Sequence, residues 1–181
     1  MSKGQVAETI CERAKVNDLV ILKLSYPPSS SFFLRLSSGM RLILRQSTRP
    51  ILVVKNQIST LNHILLAYDG SPKGKEALYV ASYLARKHGR KISVLAVGDD
   101  EKKGQSLLKY AEEVVGECYG KIQFYQYPGR TSDVILRVAN ELSVDMILMG
   151  GYGFPPLLEI LFGSTVDGVL QGTPIPVLVC K

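Results

Sequence analysis

The chain is poor in the residues that staple or metallate small proteins, with three cysteines and two histidines in 181 residues. Cys11, Cys118 and Cys180 are odd in number and lack CxxC spacing, and His63 and His88 lie near none of them. The sequence therefore signals neither a disulfide framework nor a zinc site, and the thiols read as buried or idle. No apolar run approaches the roughly 20 residues of a bilayer-spanning helix, and Met1-Ser2-Lys3-Gly4 does not begin a signal peptide. A cytoplasmic protein is the expectation. No basic stripe interleaved with aromatics is present, which argues against nucleic acid as a partner.

What is present is an ordinary globular composition, 46% hydrophobic, long enough for one packed domain and something smaller. The net charge of +6 is unevenly spread. Lys and Arg outnumber Asp and Glu by 9 to 3 in residues 1–60, and balance at 13 to 13 in residues 61–181. Arg41, Arg45 and Arg49 recur there at helical spacing, which predicts either a solvated helix face or a basic face for an acidic partner.

The two ends of the chain repeat one another. Gly4–Ile10 matches Gly129–Ile135, Asp18–Leu22 matches Asp145–Met149, and Arg49–Lys55 matches Ile175–Lys181. Each copy reads helix, strand, loop, helix, strand, and the second has a further βαβαβ run before it. The expected organisation is thus a degenerate αβαβ half repeat over residues 1–56 and a complete module over 57–181. In the complete module, the apolar run His63–Tyr68 stops at the turn Asp69-Gly70-Ser71-Pro72. A helix follows on Ala77, Leu78, Ala81, Leu84 and Ala85, ended by Gly89. Strands are predicted over 92–97, 122–127, 146–149 and after Pro176. A second amphipathic helix carries Leu107, Leu108, Ala111, Val114, Val115 and Cys118. Thr131-Ser132-Asp133 is expected to cap a third helix, and a short fourth is expected from about Ser164. Strands alternating with helices require right-handed crossovers and a parallel sheet covered on both faces, an α/β fold. Ligands then sit at the carboxyl ends of the strands, where the winding reverses.

Two segments point to that place. Asp69 ends the first strand of the module, and its carboxylate can accept hydrogen bonds from a ribose hydroxyl or an adenine amino group. Gly150-Gly151-Tyr152-Gly153, nine further residues and Gly163-Ser164 follow the fourth strand. Gly150 and Gly153 let backbone approach a ligand, and the N–H groups of Gly163, Ser164 and Thr165 can cradle phosphate at a helix start. Neither the dinucleotide fingerprint nor a P-loop is met: no glycine stands at the required third position, and Gly74-Lys75 is followed by Glu76.

The pattern Gly150-x-x-Gly153, nine residues, Gly163-Ser164, with the Asp69–Pro72 turn and the closing Pro176-Val177-Leu178-Val179, resembles the universal stress protein family over Leu61–Lys181. The resemblance implies a Rossmann-like, adenine nucleotide alpha hydrolase-like fold whose five parallel strands run in the order 3-2-1-4-5. It also implies dimers or tandem pseudo-dimers formed through the last strand, and binding of ATP, AMP or a related nucleotide. Carried onto this sequence, it puts Asp69 on ribose or adenine, Val97 beside the base, and Ala67 and Tyr68 along the pocket. Met149 and Gly150 would flank base and ribose, Gly153 would approach the phosphates, and Gly163, Ser164 and Thr165 would hold them. Asp69 could hold a Mg²⁺ ion through phosphate oxygens. The sequence departs from the family pattern in an apolar loop, Phe154 to Leu158 beside Tyr152, with no cation opposing a triphosphate. That loop would act as a lid, meet a partner, or pack on its own domain.

The upstream copy has no glycine pair after Leu22, and Ser37-Ser38-Gly39 replaces the helix-opening signature only loosely. It is expected to bind no nucleotide and to lay Ile51–Val54 against Val177–Cys180. The strand Leu19–Leu22 would then be left as an open edge, favouring a homodimer through edge strands or marking a piece of a longer polypeptide. No general base, catalytic lysine or metal cluster is evident beside the loop. The leading expectation is therefore a sensing or regulatory nucleotide-binding module without turnover. A regulatory domain of a parent transporter and a slow ATP hydrolase are the alternatives.

Overall fold

The structure, a computed structural model, describes residues 3–24, 38–55, 59–116, 122–152 and 165–181. Its elements in chain order are α1 (Lys3–Ala14), β1 (Val20–Lys23), α2 (Ser38–Gln46), β2 (Ile51–Val54) and β3 (His63–Ala67). They continue with α3 (Pro72–His88), β4 (Lys91–Val97), α4 (Glu101–Val115), β5 (Ile122–Tyr127) and α5 (Thr131–Glu141), then β6 (Met146–Gly150), α6 (Thr165–Gly172) and β7 (Val177–Cys180).

Local chemistry accounts for the element ends. Ser71 caps α3, its Oγ accepting from the Gly74 amide at 3.0 Å, with Pro72 at the first helical position. Gly89 closes the helix in the left-handed conformation at φ 63°. The expected cap at Thr131-Ser132-Asp133 is displaced by one: Arg130 is the capping residue and makes no side-chain cap bond. Ser132 is instead buried in the α5–α6 contact, where a Cβ on Gly168 would stand 2.8 Å from its Cβ.

Among the described residues the seven strands form one sheet in the order β1-β2-β7-β6-β3-β4-β5. Counted from β3, the five downstream strands run 3-2-1-4-5, and each of their pairings is parallel. β1 and β2 are parallel to one another, and β2 lies against β7 as the repeat predicts, in antiparallel register. That register is centred on Leu52 and Leu178, residues at equivalent places in the two copies.

The copies therefore meet across an internal two-fold. The lysine after each central strand reaches over it: Lys55 Nζ donates to the carbonyls of Gln171 and Thr173, and Lys181 Nζ to the carbonyl of Leu44. Each lysine satisfies open carbonyls at the end of the other copy's helix, where a cation is favourable.

The sheet separates two cores. Ile64, Leu66, Tyr68, Ile92, Val94 and Leu148 pack under α3 and α4. Leu65, Leu95, Ile147, Val177, Ile51 and Val53 pack under α5, α6 and the two upstream helices. Successive side chains of the central strands alternate between the two cores because they point to opposite faces. β1 is an edge strand, and Leu19 just before it and Ile21 within it are exposed. Cys11 and Cys180 are free and buried, and burial raises both thiol pKa values, that of Cys180 to about 12; Cys118 lies outside the described residues. Among the described residues no helix is long and apolar enough to cross a membrane.

Candidate functional site

After β3 the chain winds outward through β4 and β5, then returns over the opposite face through α5 to form β6 on the other side of β3. β3 and β6 are adjacent, with Ala67 paired to Met149. Their carboxyl ends flank the crevice that such a reversal opens.

Ala67, Val97 and Met149 belong to the core under α5 and α6, so these three come together on one face at the strand ends. Tyr68 faces the other way. It is 3% exposed among the α3 and α4 residues, and its hydroxyl is buried without a hydrogen-bond partner. Burial, followed by the neighbouring Tyr110 and Asp69, pushes its pKa up to about 12. Its side chain is thus separated by the sheet from the other pocket candidates.

Asp69 is exposed at the end of β3, and its Oδ1 accepts from the Ser71 amide at 3.0 Å. The carboxylate lies on the first turn of α3, where a Cβ at Gly74 would stand 2.3 Å from Oδ1. Gly150 ends β6 against the same turn; a Cβ there would lie 2.9 Å from the Gly74 nitrogen and 3.0 Å from the Lys73 carbonyl carbon. The sequence reads this glycine as room for a ligand, and backbone packing against α3 is a second reason for it. Gly151 donates to the Cys180 carbonyl at 2.8 Å and continues the seam with β7. Thr165 opens α6 and is half-buried, while Gly153, Gly163 and Ser164 lie outside the described residues, as does the apolar stretch 154–158.

The base of the loop is held from three sides. Lys73 Nζ donates to the Tyr152 carbonyl at 2.7 Å. The Tyr152 hydroxyl donates to Asp167 Oδ1 in the first turn of α6, and Arg41 binds Oδ2 of the same carboxylate. The Arg45 guanidinium stacks over the Tyr152 ring, 4.8 Å from its centroid.

This corrects both readings for Arg41 and Arg45, while Arg49 is exposed. Arg41 and Arg45 are turned onto the downstream module, and Arg49 lies beyond α2 with its guanidinium on the Lys15 carbonyl. It also supplies the cations that the loop sequence lacks. Burial first, and then repulsion from Lys73, lowers the pKa of Lys181 to about 8, with Arg45 adding to the effect. Lys73 and Arg45 are therefore near enough to Lys181 to repel it at the ends of β6 and β7. Sequence reasoning missed Lys73 and Asp167. The signal for Asp167 was within reach, because the repeat alignment places it opposite Arg41, 126 positions away.

Among the described residues no group of three or more His, Cys, Asp or Glu side chains could hold a metal ion. A sequence profile described as the universal stress protein family matches residues 60–181. The chain belongs to the universal stress protein family. It is 29% identical over 145 residues to the universal stress protein Slr1230 of Synechocystis sp., covering 79% of this chain and 50% of that protein. A universal stress protein structure from Archaeoglobus fulgidus superposes with a TM-score of 0.82 at 24% identity, over 97% of this chain and 64% of that one. A universal stress protein solved in complex with cAMP has a TM-score of 0.57 at 17% identity, over 66% of this chain and 97% of that one. These likenesses show the α/β fold with its mostly parallel sheet. This chain spans about half the length of Slr1230 and 64% of the Archaeoglobus protein.

Proposed function

We propose that this universal stress protein binds an adenine nucleotide, ATP or AMP, at the carboxyl ends of β3, β4 and β6, and acts by sensing or regulation. The observation that carries the reading is the pairing of Ala67 with Met149 at the reversal of winding, with Val97 on the same face. Three apolar side chains side by side suit the face of a purine base. Asp69, with Oδ1 committed to the Ser71 amide, offers its other oxygen to a ribose hydroxyl or the adenine amino group. Gly150 borders the nucleotide and Thr165, at the start of α6, receives its phosphates, with Gly153, Gly163 and Ser164 joining them as the family pattern implies. Lys73, Arg45 and Lys181 give the region the positive potential that a phosphate chain requires. The Tyr68 side chain is left out of the contact set. A Mg²⁺ ion would enter on the phosphates, with Asp69 contributing one carboxylate.

In this reading residues 57–181 are the nucleotide-binding domain, and residues 1–56 are a degenerate half domain that binds none. The relative solved with cAMP supports an adenine nucleotide as the ligand class, though that complex is a property of that protein. Isothermal titration with ATP, AMP and cAMP tests the reading on protein freed of carried-over ligand. Saturable heat with at least one nucleotide is expected, weakened by about tenfold or more in Asp69→Ala, the loss of one charged hydrogen bond. Absence of heat with all three ends the proposal.

A further inference from the structure

We infer that α2 of the upstream repeat is a positioning element for the nucleotide loop, acting through Arg41, Arg45 and Tyr152; this rests on the nucleotide-binding reading above.

Tyr152 is the residue at which the glycine loop leaves the sheet, and it is 6% exposed. Its main chain is held by the module's own α3 through Lys73, and its side chain by α6 and α2. Asp167 stands in the first turn of the helix that the loop leads into. The hydroxyl–carboxylate bond therefore ties the start of segment 153–164 to the element just beyond its end. A loop that must present amides to phosphate within fractions of an ångström depends on fixed ends.

The fixing charge comes from the other repeat. The Asp167 side chain is 8% exposed, and a buried carboxylate keeps its charge only when compensated. Arg41 supplies a compensating cation from across the two-fold, and Arg45 covers the ring that Asp167 orients.

The placement of the pair carries the argument furthest. Arg41 and Asp167 are equivalent positions of the two copies, 126 residues apart. In a pairing of two identical complete modules an aspartate would face an aspartate there. The upstream copy has no glycine pair, and at this position it carries the opposite charge. Its cation steadies the loop of the copy that retains those glycines.

The test uses the full chain and the variants Arg41→Gln, Arg45→Gln and Arg41→Lys. ATP titration is combined with hydrogen exchange in the ligand-free state, under conditions where circular dichroism shows every variant folded. The expected result is ATP affinity about tenfold weaker in both Gln variants, the scale of one charge-assisted bond. Exchange should rise within 153–164 and stay unchanged in β3 and β6, and Arg41→Lys should recover most of the affinity. Unchanged affinity in folded Gln variants overturns the inference. So does weaker binding with unchanged loop exchange, which would make the arginines direct ligand contacts. If the wild type binds no nucleotide, the functional reading fails by itself. The positioning claim is then decided by loop exchange alone, and unchanged exchange overturns it.

Discussion

A methyl group added at Gly150 would stand 2.9 Å from the amide nitrogen of Gly74 and 3.0 Å from the carbonyl carbon of Lys73. Both are backbone atoms, so the strain falls on α3 itself. Gly150→Ala is expected to lower stability by about 1–3 kcal/mol in urea denaturation, the cost of overpacking a tight contact, and to weaken nucleotide binding by shifting the turn that carries Asp69. Retained stability would show that α3 can withdraw freely. At this scale the sequence was half legible. That Asp69 and Gly150 stand together at the ends of neighbouring strands was legible in their spacing. That the glycine also admits a helix, and that Tyr68 faces away from Ala67, depends on which side of the sheet each strand end presents. A five-residue apolar run such as His63–Ala67, buried on both faces, carries no alternation to reveal that.

Between elements, the reciprocal lysines show how the two copies are joined. Lys181 reaches the Leu44 carbonyl at the end of α2, in a zone already occupied by Lys73 and Arg45, and its pKa falls from 10.5 to about 8. The unfolded chain then holds that proton more tightly than the folded one. Stability should therefore rise as pH increases from about 8, relieving the buried charge. Above pH 10 Tyr68 acts in the opposite sense, because its folded pKa of about 12 exceeds the ordinary tyrosine value of 10.0. The buried thiols of Cys11 and Cys180, raised from 9.0, also act in that opposite sense above pH 9, so the clean window is pH 8 to 9. Thermal melts across it should show wild-type stability increasing relative to Lys181→Met; parallel curves would contradict the assignment. Element existence was well legible: strand 122–127 was anticipated to the residue, and Gly89 ended α3 as expected. The arginine stripe was misread, because a helical repeat of charge in sequence does not tell which neighbour the stripe meets. Here an antiparallel β2–β7 seam folds α2 onto Tyr152 and Asp167.

In the molecule as a whole, an internal two-fold joins unequal halves, and the Arg41–Asp167 pair marks that inequality. Arg41→Asp would set two carboxylates together in a partly buried site, with an expected loss on the order of 3 kcal/mol, as when a buried pair is broken. The double variant Arg41→Asp/Asp167→Arg restores opposite charges but removes the acceptor of the Tyr152 hydroxyl. Partial recovery is therefore predicted, with a coupling of at least about 1 kcal/mol in a denaturation cycle. Strict additivity would mean that the pair does not specify the seam. The contact of Ile51–Val54 with Val177–Cys180 could be read from the repeat, whereas the strand order was implied by the family resemblance. The exposure of Leu19 and Ile21 at the β1 edge accords with the open edge expected there.

The central claim is that β3, β4 and β6 end in a nucleotide site, and electron density from crystals grown with saturating ATP tests it most directly. The account predicts adenine against Ala67, Val97 and Met149, ribose near Asp69, and phosphates directed toward residues 163–165. A crevice left empty at saturation, or ATP bound elsewhere on the molecule, would contradict it.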